Sequence, residues 1–137
     1  MTVVTLDTSA AIPWVHRSHP AHAAVHAVVG DRTPVLTTHS LAETYSVLTR
    51  APAALRLRPD DAAAVLEREF GTPVRTNPEL LDHLPRHLAA RGVSGGATYD
   101  ALVALAAASS GTPLITRDAR AASTYRTLDT RYEVVPD

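Results

Sequence analysis

The sequence predicts an α/β fold built on a mostly parallel sheet. Two observations carry that expectation. Short apolar runs rich in β-branched residues recur along the 137-residue chain. Between them lie longer stretches with helical spacing of apolar side chains, several of them closed by glycine or proline. Strands that alternate with helices in this way pack as a parallel sheet with its faces covered. The length suits one domain over residues 1–137, because single domains cluster at about 100–150 residues.

The elements follow in order. Val3–Leu6 is a short apolar strand that stops at Asp7. Ala10–Val15 and Ala21–Val29 read as helices, the first limited by Pro13 and the second ended by Gly30. Pro34–Thr37 is a second strand. Ser40–Arg50 is a helix with Leu41, Tyr45 and Leu48 on one stripe, closed by Pro52. Pro59–Phe70 is a helix stopped by Gly71, and Thr72–Thr76 a third strand. Asn77-Pro78-Glu79 opens a helix by side-chain capping. Pro85 divides that region into two short helices, the second ending at Gly92. Ala97–Ser109 is apolar on almost every side and so reads as a buried helix. Pro113–Thr116 is a fourth strand, Ala119–Leu128 a helix and Tyr132–Val135 a fifth strand.

Composition narrows the chemistry. Hydrophobic residues make up 45% and charged residues 20%, as in a folded chain. Cysteine and lysine are both absent, which removes disulfides, thiolate chemistry and every mechanism that needs a lysine. A formal net charge of −1 does not hold nucleic acid by charge alone. The N-terminus has no basic leader before an apolar stretch, and no apolar run reaches the ~18–20 residues of a membrane span. The expectation is a cytoplasmic protein with no membrane partner.

Four acids stand at element junctions: Asp7 after strand one, Glu43 in the helix after strand two, Asp100 in the first turn of the buried helix, and Asp118 after strand four. In open parallel sheets, ligands collect beyond the carboxyl ends of the strands, where strand order reverses. Each acid also has a plain structural use. Asp7 and Asp118 can cap helices, Glu43 can complete a Ser40-Leu41-Ala42-Glu43 capping box, and Asp100 can answer a helix dipole. Together they are different, because converging carboxylates repel one another until a proton or a cation relieves them. Mg²⁺ and Mn²⁺ prefer such oxygen ligands, and a carboxylate-bound ion can polarise a phosphate and activate water. Ser9 and Thr116 add hydroxyls beside Asp7 and Asp118, while Arg117 and Arg120 can take phosphate oxygens.

The stretches VVTLDTSAAI, LAETYSVLTR around Glu43, GGATYDALVALAA around Asp100 and PLITRDARAASTY around Asp118 cover most of the chain. In this order and spacing they resemble the PIN-domain family, and within it the VapC-type toxins of bacterial toxin–antitoxin pairs. The resemblance implies a PIN-like three-layer fold with a five-stranded parallel sheet in the order 3-2-1-4-5. It implies that Asp7, Glu43, Asp100 and Asp118 are catalytic and bind Mg²⁺ or Mn²⁺, with Asp118 the weaker fourth member. Ser9 and Thr116 match hydroxyl positions near the metal. The implied reaction is endonucleolytic hydrolysis of RNA by metal-activated water, leaving a 5′-phosphate. The implied partners are a VapB-type antitoxin and a second copy of the chain. The same chemistry also serves RNA processing outside a toxin–antitoxin pair, and a PIN-like module can act through its partner without catalysis. Pro85 interrupts a region that is usually helical in the family, and the segment from Arg50 to Asn77 carries no matching motif.

Other features are weaker. His16, His19, His22 and His26 form a run interrupted by Pro20, which reads as partly exposed helix histidines rather than zinc ligands. His39 reads as a loop or cap residue, and Trp14 and Tyr45 as core or interface aromatics before base-stacking ones. A haloacid-dehalogenase-like phosphatase needs a second Asp where Ser9 stands. That fold and a receiver-like phospho-acceptor both use a lysine that this chain lacks.

Overall fold

Val3–Leu6 forms β1, the buried strand its apolar run predicts, in a computed structural model that describes residues 2–137. Asp7 ends the strand, and its carboxylate accepts from the amide of Ala10, capping α1 (Thr8–Val15). The helix starts at Thr8, directly behind that cap, and it contains Pro13. α2 (His22–Val29) ends at Gly30, whose φ of 60° lies where glycine is at ease. β2 (Thr33–Val35) leads into α3 (Thr38–Arg50), followed by α4 (Pro59–Glu69). Pro85 falls in the first turn of the second of two short helices, α5 (Pro78–Asp82) and α6 (Leu84–Ala89). α7 (Ala97–Ser109), β3 (Leu114–Thr116), α8 (Ala119–Thr127) and β4 (Tyr132–Val134) complete the order.

The sheet corrects the expectation. It has four parallel strands in the order β2-β1-β3-β4, not five strands in the order 3-2-1-4-5. The segment that fails to become a strand is Thr72–Thr76. Val74 alone pairs, through a single parallel bridge to Thr37 beyond the end of β2. Its amide donates to Leu36 O at 2.9 Å and its carbonyl accepts from Thr38 N at 3.3 Å. Pro73 has no amide hydrogen to extend the ladder. The chain also turns into α3 at Thr38, so little straight edge remains to pair with.

Side chains alternate across the strands, as a period of two requires. Ile115 faces a core with Val4, Leu6, Val25, Leu48 and Leu66, whereas Leu114 faces one with Val103, Leu105, Tyr125 and Leu128. The first core lies under α1–α4 and the second under α6–α8. α7 is buried along most of its length, as its all-round apolar sequence predicts. Arg32, just before β2, grips Glu133 of β4 at 2.7 and 3.0 Å, tying the lead-in of one outer strand to the other. β1 lies between β2 and β3, so strand order reverses there, and Asp7 leaves the sheet at that point.

Candidate functional site

Asp7 is nearly buried, and its carboxylate is held by the fold on both oxygens. Ser9 Oγ donates to Oδ1 at 2.6 Å, and Tyr125 Oη donates to Oδ2 at 2.7 Å. Burial pushes the Asp7 carboxyl above its ordinary value, while hydrogen bonds from Ser9, Thr116, Tyr125 and the Ala10 amide pull it back. The Tyr125 phenol is pushed upward by its own burial and by the nearby carboxylates, so it stays protonated and remains a donor. Ser9 Oγ also accepts from Arg117 N at 2.8 Å and lies 3.3 Å from Thr116 Oγ1, which in turn accepts from Asp118 N at 3.0 Å. One hydroxyl chain thus links the ends of β1 and β3.

The remaining acids arrive from three helices. Asp118 caps α8 through the Arg120 amide at 2.9 Å. Asp100 sits in the first turn of α7, as expected. Glu43 loses its plain structural use. The capping box of α3 is formed by Thr37 and Ser40, one turn earlier, because Thr37 already supplies a hydroxyl at the end of β2. Glu43 therefore serves no helix end and projects into a cavity of about 80 Å³ that Asp7, Asp100 and Asp118 also line.

The acids feel one another there. Asp100 is raised above its ordinary value first by burial, then by the charges of Asp118, Asp7 and Glu43, with Arg120 opposing. Two buried polar atoms in the wall, Thr8 Oγ1 and His39 Nε2, have no hydrogen-bond partner. His39 Nε2 stands 3.9 Å from Glu43 Oε2, one helical turn away. Among the described residues, no three His, Asp or Glu side chains already stand in a ready-made ligand cluster. Glu43 and Asp118 are the adjustable members, since their side chains are 46% and 35% exposed.

Of the residues singled out beside the acids, Ser9 and Thr116 join the network around Asp7. Arg120 is almost fully exposed, with Nε 3.6 Å from Asp118 Oδ1. Arg117 is tied into the network by its backbone, and its charge depresses His19, after burial. Tyr125, Tyr99 and His39 were not assigned to the site from sequence. Tyr125 had a signal, because Ala121, Ala122 and Tyr125 share the buried stripe of α8. His39 had another, lying four residues before Glu43 on one helix face.

The histidine run has structural work. His22 Nδ1 lies 2.7 Å from Pro13 O and His26 Nε2 3.1 Å from Trp14 O, so α2 is fastened to α1. The Trp14 and His26 rings stack at 3.7 Å. Tyr45 faces a larger cavity of about 630 Å³ between α3 and α4, with Leu41, Leu66 and Phe70, and none of the four acids lines it.

Known proteins agree with this architecture. The model of the PIN domain matches residues 4–127. Ribonuclease VapC27 of Mycobacterium tuberculosis is 54% identical over 122 residues, covering 89% of each chain. Ribonuclease VapC40 of the same species is 40% identical over 139 residues, covering 97% of this chain and 99% of the relative. The crystal structure of VapBC2 from Rickettsia felis, bound to a promoter DNA fragment, superposes with a TM-score of 0.68 at 13% identity. It covers 97% of this chain and 98% of its counterpart, a likeness of fold. By the family model and by relatives of this identity and coverage, the chain belongs to the PIN-domain family, in its VapC branch.

Proposed function

We propose that this chain is the ribonuclease toxin of a VapBC-type toxin–antitoxin pair, a single PIN-like domain over residues 1–137 that cleaves RNA at its acidic cavity. The observation that carries the proposal is that Asp7, Glu43, Asp100 and Asp118 all line one small cavity, where Asp100 is raised by burial first and then by the charges of the other three. The relatives named Ribonuclease VapC27 and Ribonuclease VapC40 supply the activity class.

The donor set fits a hard divalent ion: carboxylates from four elements, with wall hydroxyls from Thr8 and Ser9. Asp7, Glu43, Asp100 and Asp118 would hold Mg²⁺ or Mn²⁺, which would supply Lewis acidity and an activated water. Asp7 is the fixed ligand, because Ser9 and Tyr125 orient its two oxygens. Glu43 and Asp118 would complete the ligand set from more exposed positions. Arg117 and Arg120 offer guanidinium groups to the phosphate, and Ser9 holds the Arg117 backbone amide. The partners are an RNA strand, a VapB-type antitoxin that silences the site, and a second copy of the chain. No helix is long and apolar enough to cross a membrane among the described residues. A chain without cysteine suits the reducing cytoplasm.

The test is RNA cleavage by purified protein free of antitoxin. Cleavage requires Mg²⁺ or Mn²⁺, stops in EDTA, and is lost in Asp7→Asn. Cleavage that survives EDTA, or a fully active Asp7→Asn protein, overturns the proposal.

A further inference from the structure

The acidic cavity is small. Its volume of about 80 Å³ is well below the roughly 300–1,000 Å³ of pockets that enclose an organic ligand. An ion and phosphate oxygens fit inside it, so the bases of a bound strand lie outside, on the rim. Something on that rim must hold them. The chain carries a formal net charge of −1, so backbone charge alone does not supply the grip.

Tyr99 stands at the right place. It precedes Asp100 in the first turn of α7 and lines the acidic cavity. It is 58% exposed, although the middle of the helix that carries it is buried. Its ring lies nearly parallel to that of His39, at 5.7 Å between centroids and 14° between planes. His39 comes from α3, one turn before Glu43. Two elements therefore each bring an acid and a ring to one spot, the acids into the cavity and the rings together at its mouth. A ring already stacked on one side has its plane set, and most of its surface is open to solvent. That is the form of a stacking platform, which accepts any base because every base has a π-face.

We propose that Tyr99, backed by His39, is a base-stacking residue that receives the unpaired base beside the scissile phosphate. This rests on the ribonuclease reading above.

The experiment is steady-state cleavage of a single-stranded RNA by wild type, Tyr99→Ala, Tyr99→Phe and Tyr99→Trp in Mn²⁺. Loss of one stacked base raises KM about tenfold or more in Tyr99→Ala, with kcat changed less than about threefold. Phe and Trp keep KM within about threefold of wild type. Removing the base beside the cleaved bond weakens wild type to the same degree but leaves Tyr99→Ala unaffected. Equal KM for wild type and Tyr99→Ala overturns the proposal, as does equal sensitivity of both to the missing base. A second measurement stands apart from cleavage: quenching of a 2-aminopurine RNA in Ca²⁺, expected with wild type and Tyr99→Phe and absent with Tyr99→Ala. If wild type cleaves no RNA, the ribonuclease reading fails while the quenching still decides Tyr99. Quenching unchanged in Tyr99→Ala overturns the stacking role.

Discussion

Tyr125 Oη donates a 2.7 Å hydrogen bond to Asp7 Oδ2, joining residues 118 positions apart. The phenol is deeply buried and keeps its proton, so it stabilises the ionised form of the aspartate that burial disfavours. Removing it should harm ion binding more than folding. In Tyr125→Phe the expected loss of Mn²⁺ affinity is about 10–100-fold, the usual effect of removing a group that orients a ligand. Calorimetric titration with Mn²⁺ measures it. An unchanged affinity would mean that Tyr125 merely fills space.

Asp7 and Asp100 are both held above the ordinary aspartate value of 3.8, chiefly by burial. A carboxyl raised in the folded state binds its proton more tightly there than in the unfolded chain. Its contribution to stability is full below the ordinary value and is lost as pH climbs through the raised one. In EDTA, the melting temperature of Asp7→Asn relative to wild type should therefore rise as pH increases from about 4. Added Mg²⁺ should narrow that gap at high pH by answering the charge. Melting curves of both proteins across pH provide the check, and a pH-independent difference would contradict it.

Glu43 and Ser40 separate two roles that the sequence merges. The box that caps α3 uses Thr37 and Ser40, and Glu43 faces the acids. Ser40→Ala should lower stability by about 0.5–2 kcal/mol, the range for a lost cap. Glu43→Gln should leave the melting temperature close to wild type and remove most cleavage. Paired melting and activity assays distinguish them; a Glu43→Gln protein that melts early yet cleaves normally would reverse the assignment.

The Arg32–Glu133 pair is a control remote from the acids. Arg32 holds the Glu133 carboxyl below its usual value, so the pair's stabilisation is present above the ordinary glutamate range and fades as pH falls through the lowered one. Both side chains are partly exposed, at 22% and 43%, so Glu133→Gln should cost no more than about 1 kcal/mol. Urea titration at neutral and acidic pH should show the difference shrinking on acidification, with RNA cleavage unaltered.

These contrasts indicate what one chain can disclose. α7 was legible because a helix apolar on every side has nowhere to go but the interior. Asp7 and Asp118 were legible as acids after strands, and both serve also as helix caps, so the structural and chemical uses coexist. Thr72–Thr76 misled because its composition suits a strand, while pairing depends on how much of β2 remains beside it. The capping box misled because Ser40 and Glu43 fit the local pattern, but Thr37 claims the helix start first. Tyr99 and His39 were missed as a pair because ring stacking between α3 and α7 leaves no trace at any single position.

The hydroxyl of Tyr125 and the carboxylate of Asp118 both belong to the α8 region, near the far end of a chain whose first acid is Asp7. During synthesis, Asp7, Glu43 and Asp100 are all made before the group that orients Asp7. A nascent chain interrupted ahead of α8 holds an unfinished site with no phenol on Asp7 and no fourth acid.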